Sequence, residues 1–170
     1  IVGAEMRLAP AMAGAEPGAR LVLLAQSRRG YGNLAQWITV ARRRADKSTY
    51  IAQMSDLEGR VPHAPYLAGL PDCFALLVPE PAQTEETLFA QAMWLKTWFG
   101  PDRCAIAVEL LHRAHDAWLL EAVQRVAGLT GLALAAAGDV LMHSRARKPL
   151  QDALTATRLA TPVAACGFAL

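Results

Sequence analysis

Residues 73–110, "CFALLVPEPAQTEETLFAQAMWLKTWFGPDRCAIAVEL", decide the fold class. "CFALLVP" (73–79) is a short continuous apolar run of the kind that forms a buried strand. "TEETLFAQAMWLKTWF" (84–99) has helical character: Thr84 stands where an N-cap hydroxyl is wanted, and Glu85 and Glu86 oppose the helix dipole in the first turn. "RCAIAVEL" (103–110) is a second buried strand. The alternation continues downstream. "HDAWLLEAVQRVAGLTG" (115–131) reads as a helix capped near Asp116 and stopped at glycine, and "LALAAAG" (132–138) as a third buried strand. "SRARKPLQDALTATRLA" (144–160) reads as a further helix with Pro149 in its first turn. Strand, helix, strand, helix, strand at this spacing indicates parallel βαβ units. The handedness of such crossovers then puts the helices on one side of the sheet, as in a barrel or on one face of an open sheet.

Upstream, "IVGAEMRLA" (1–9) and "RLVLLAQ" (20–26) are two apolar stretches across an Ala-, Gly- and Pro-rich loop, "PAMAGAEPGA", and read as a hairpin or two neighbouring strands. "GYGNLAQWITVARRRA" (30–45) sets Tyr31, Leu34, Ile38 and Ala41 at helical spacing, with arginines in the last turn. That register places Tyr31 and Trp37 in or near the core. "SDLEGRVPHAPYLAGLPD" (55–72) reads as loop with one short helical turn.

The 170 residues suffice for one domain with its own core, and 54% hydrophobic against 19% charged residues excludes a disordered chain. A net charge of +2 gives no global field for nucleic acid or anionic membrane. Local basic runs, Arg28–Arg29 and Arg42–Arg44, read as solvated helix ends, with a nucleic-acid contact as the alternative. The three cysteines, Cys73, Cys104 and Cys166, lack metal or redox spacing, which fits reduced thiols and a cytoplasmic chain. No apolar run reaches the roughly 20 residues that span a bilayer. The first residue is not methionine and both ends break off within apolar stretches, so the sequence reads as a piece of a longer chain.

In parallel α/β folds functional side chains gather at the C-terminal ends of strands. Glu5, Glu109 and Asp139 stand at such ends, and His112 and His143 lie on the loops just beyond. Converging carboxylates and imidazoles suit a divalent metal, although each also has a plain role as a cap or loop residue.

Three segments in order carry a resemblance: "IVGAEMRL", "RLVLLAQSRRGYGNLAQWITVARRR" and "AAAGDVLMHSRARKPLQDALTATR". They resemble the PHP (polymerase and histidinol phosphatase) domain of bacterial C-family DNA polymerases, nearest to the error-prone translesion branch. The resemblance implies an α/β fold that is part of a distorted seven-stranded βα barrel whose N-terminal strands precede Ile1. It implies a partial PHP domain over 1–160 and, over 161–170, the start of the connection to the polymerase core. Glu5 matches the glutamate of the family's G-x-E motif and Asp139 the aspartate of its D-x-H motif. Leu141 stands where the D-x-H histidine would be. Arg20 stands where many replicative members place a histidine. A guanidinium there neutralises carboxylates without a cation, and two carboxylates fall short of roughly four ligands. The resemblance therefore implies that the divalent PHP metal (zinc or manganese) is lost and that Glu5 and Asp139 persist as acceptors for arginine or backbone donors. Arg20, Glu109, His112 and His143 would neighbour that remnant site.

For the whole parent the resemblance implies a DNA-directed DNA polymerase acting in damage-induced synthesis, replication and repair. Template-primer DNA and deoxynucleotides would be its partners, together with other translesion or replication proteins, and no membrane. Magnesium would sit in a palm domain downstream. The alternatives are a stand-alone PHP metal-dependent phosphoesterase and a nucleic-acid module built on the arginine runs.

Overall fold

The computed structural model describes residues 1–10, 18–81 and 83–167. The centre of the Ala/Gly/Pro loop (11–17) and the last residues of the expected polymerase connection (168–170) lie outside them. Contacts divide the chain into two units, Ile1–Ala137 and Gly138–Leu170.

The first unit is built on a five-stranded sheet: β1 (Val2–Arg7), β2 (Arg20–Ala25), β3 (Cys73–Val78), β4 (Cys104–Glu109) and β5 (Ala133–Ala137), in that spatial order. β1, β2 and β3 pair antiparallel, and β3, β4 and β5 pair parallel. The βαβ reading of 73–137 therefore holds, as does the pairing of the first two strands. The sheet is mixed and not closed, and its five strands do not by themselves make a seven-stranded barrel.

Register sorts the side chains into two faces. Met6, Leu21, Leu77, Ile106 and Leu134 form one row across all five strands. The first four of these are buried under α1 (Arg28–Arg43), α2 (Glu85–Phe99) and α3 (Asp116–Thr130). The neighbouring row, Glu5, Val22, Leu76, Ala105 and Ala133, points to the opposite face. One face thus holds the core, and the other holds the candidate site.

Helix signals in the sequence are realised in their local chemistry. Ser27 caps α1 by accepting from Gly30 N at 3.1 Å, and Thr84 caps α2 by accepting from Thr87 N at 3.2 Å. Asp116 is the first residue of α3 rather than its cap, and its carboxylate reaches back to accept from Arg113 N at 3.1 Å. Gly131, left-handed at φ 70°, stops that helix.

Two readings of burial need correction. Tyr31 is 55% exposed, whereas Trp37 is fully buried with Gly30, Leu34 and Ala41. The inward stripe runs through 30, 34, 37 and 41, which turns Tyr31 out to solvent. Likewise "LALAAAG" is not a buried strand: β5 is a sheet edge, and Leu134 is 42% exposed. A run of small apolar residues looks the same in sequence whether it has one neighbouring strand or two.

A dense seam joins the N-terminus of α1 to the start of β3. Gln26 N donates to Asp72 O at 2.9 Å, Asn33 Nδ2 to Pro71 O at 2.9 Å, and Cys73 Sγ to Gly30 O at 3.3 Å. Gly30 has to be glycine, because a Cβ there would stand 2.0 Å from Asp72 O. The Asp72 carboxylate accepts from Arg29 Nε and Nη2 at 2.7 and 2.6 Å and from Ser27 Oγ at 2.8 Å. Arg29, then Ser27, hold its pKa down at about 2. Because the folded value is depressed, the stability this group contributes is complete above about pH 4 and is lost as pH falls through about 2. A carbon-detected NMR titration of Asp72 should give a midpoint near 2, and one near the ordinary 3.8 would contradict the clamp.

The second unit contains α4 (Lys148–Leu159), preceded by a 3-10 turn at Arg145–Arg147, with Pro149 in its first turn as expected.

Candidate functional site

One arginine, Arg20, holds carboxylates from β1 and β4. Arg20 opens β2 and is paired in register with Val78 at the end of β3 and Arg7 at the end of β1. Its guanidinium grips Glu5 through Nε–Oε1 and Nη2–Oε2, both at 2.9 Å, and reaches Glu109 Oε2 through Nη1 at 3.3 Å. Glu5 comes from β1 and Glu109 from the last position of β4, so one side chain joins three strands and passes over β3 beneath it. The Arg20 and Glu109 side chains are 16% and 11% exposed, and Glu5 is half exposed at 51%. Arg7, on the same face, donates to Glu80 Oε1 at 2.6 Å just beyond β3.

The electrostatic consequence falls on Glu5. Its pKa lies below the ordinary carboxylate value, chiefly because Arg20 hydrogen-bonds it and despite partial desolvation. A fork-to-fork guanidinium–carboxylate pair fixes geometry as well as charge. Each Glu5 oxygen accepts from one of the Arg20 N–H donors. Among the described residues no three carboxylate, imidazole or thiol side chains come together as a metal site requires.

His112 follows β4 on an exposed loop with φ 60°. Asp139, Leu141 and His143 belong to the second unit, all exposed, with Asp139 left-handed at φ 44°. Asparagine and aspartate tolerate that conformation better than most residues.

The arginine runs do not form one surface. Arg28–Arg29 and Arg42–Arg43 occupy opposite ends of α1, about 20 Å apart for a helix of this length. Arg29 is engaged by Asp72, and Arg44 turns inward.

That inward turn belongs to a site the sequence did not reveal. Asp56 is 1% exposed and accepts from Arg44 Nη1 and Nη2, both at 2.6 Å, from Trp37 Nε1 at 3.2 Å and from Gln53 N at 3.1 Å. "ARRRA" reads as a solvated helix end and "SDLEG" as a polar loop, and nothing local in either announces the other. A second such clamp is Arg103, whose Nη1 donates to the carbonyls of Gly69, Leu70 and Cys73 at 3.0–3.2 Å. Its guanidinium lies 5.7 Å from the centre of the Phe99 ring. Both clamps are structural: they hold the 55–73 segment against α1 and α2.

No helix is long and apolar enough to cross a membrane among the described residues.

No family model matches the sequence. It is nevertheless similar along its length to proteins named error-prone DNA polymerase. The Bordetella parapertussis protein is 42% identical over 171 residues, covering 100% of this chain and 16% of the relative. The Ralstonia nicotianae protein is 46% identical over 155 residues, covering 91% and 14%. The Azoarcus sp. protein is 44% identical over 170 residues, covering 100% and 14%. The chain thus spans only 14–16% of the length of these relatives.

Proposed function

We propose that this chain is a PHP-type scaffold portion of an error-prone DNA polymerase of the bacterial C family, with an arginine–carboxylate bridge in place of the cation centre of that domain class. Identity of 42–46% to proteins of that name, over nearly the whole chain, is the observation that carries the reading. The open α/β sheet, with carboxylates at the C-terminal edge of its parallel strands, supports the PHP assignment, and further strands of the parent would complete a seven-stranded barrel.

In such a parent, magnesium in a palm domain would supply Lewis-acid assistance for displacement of pyrophosphate. Template-primer DNA and deoxynucleotides would be the substrates, and damage-induced synthesis in the cytoplasm the setting. The residues of the bridge position and do not react. Arg20 ties β1, β2 and β4 together, so the mouth of the sheet keeps its shape without a bound ion.

The parent polypeptide carrying this chain should extend a primer across an abasic template site with magnesium and deoxynucleotides. Failure on both damaged and undamaged templates would refute the polymerase reading. The bridge is tested on the chain itself. Elemental analysis after dialysis against zinc and manganese should find far less than one metal per chain, and Arg20→Gln should move the Glu5 titration upward toward 4.5. Stoichiometric metal that disappears on Glu5→Gln would overturn the replacement.

A further inference from the structure

The second unit carries a groove of about 360 Å³ between α4 and the loop before it. Leu150 and Leu154, one turn apart on α4, face Leu141 and Met142 across it, with His143 and Arg147 on its rim. Leu141, Leu150 and Leu154 are 61%, 52% and 59% exposed. Leucines so exposed along one groove mark an interaction site more often than a bare surface.

The charges around the groove select its occupant. Arg147 is the N-cap of α4 and has no capping side-chain hydrogen bond. Arg145, Arg147 and Lys148, of which Arg147 lines the groove, therefore stand at the positive end of the helix dipole, where anions are favoured and cations are not. Lys148 is engaged by Asp152 at 2.7 Å, while the guanidinium groups of Arg145 and Arg147 ion-pair with no carboxylate among the described residues. An occupant must bring apolar side chains for the floor and carboxylates for the rim. Single-stranded nucleic acid supplies the anions but stacks its bases on aromatic platforms, and no Phe, Tyr or Trp lines this groove; a duplex would present phosphates and leave the leucines uncovered.

We propose that this groove docks an acidic, leucine-bearing peptide segment of a partner protein, in the helix-in-groove manner. The inference stands apart from the polymerase reading, since it uses only side chains of the second unit.

The test uses the chain as it stands and a fluorescein-labelled peptide of about 12 residues, built from glutamate and leucine with leucines at i and i+4. Its counterpart has lysine for glutamate. Anisotropy should show saturable binding of the acidic peptide, weakened roughly 10-fold or more by Leu154→Asp and by Arg147→Glu. Leu129→Asp, an exposed leucine of α3, should leave binding unchanged, with circular dichroism showing each variant folded. Four results would each overturn the proposal. These are no binding, equal binding of the lysine peptide, indifference to Leu154→Asp, or a dimer of the chain that Leu154→Asp dissolves.

Discussion

Asp56→Ala is expected to lower the stability of the chain by about 3–5 kcal/mol, the range for breaking a buried ion pair from one side. The carboxylate is 1% exposed and answers four donors, from Arg44, Trp37 and Gln53. Removing it leaves a partly buried guanidinium and a buried indole N–H with nothing to accept from them, and those desolvation costs remain in full. Asp56→Asn keeps the shape and one acceptor oxygen but loses the charge and the second guanidinium contact, so it should fall between the wild type and alanine. Urea denaturation monitored by tryptophan fluorescence measures both. A loss below about 1 kcal/mol for the alanine variant would mean that the pair is solvated and that the loop is not anchored there.

A second large effect is expected at Trp37. Trp37→Ala should cost about 3–5 kcal/mol as a large-to-small core substitution, while Tyr31→Ala, at an exposed position of the same helix, should stay within about 0.5 kcal/mol. The contrast fixes the rotation of α1: the opposite ranking would require the helix to present a different stripe to the sheet. Because the Trp37 indole donates to Asp56 at 3.2 Å, the two alanine changes should combine to less than their sum.

The parallel part of the fold was legible because its signals are local. Thr84 and its two glutamates start α2, Gly131 ends α3, and the apolar runs between them have strand length. On α1 the reading put both Tyr31 and Trp37 at the core; Trp37 is buried, and only Tyr31 is turned out, because one helix face cannot hold both positions. Of the candidate site, Glu5, Arg20 and Glu109 could be placed at strand ends, and the structure joins them through one guanidinium. Register across three strands decides that, and register is not written in any one segment. Arg44 and Asp56 were opaque for the same reason. Each lies in a stretch whose composition is that of a solvated surface, and only the tertiary fold brings them into contact out of water.

The seam between α1 and β3 bears on how the chain reaches its native state. Its side-chain contacts join residues 38–45 positions apart, so none can form before the intervening segment has been looped back. Closing a loop of that length costs on the order of 3 kcal/mol of entropy, and contacts so distant in sequence slow folding. Gly30 leaves no clearance for a partial approach, because helix and strand backbones meet directly there. The parallel pairings downstream join residues 28 or 29 positions apart, so their closure cost is within about 0.4 kcal/mol of the seam's, and refolding should wait on both together.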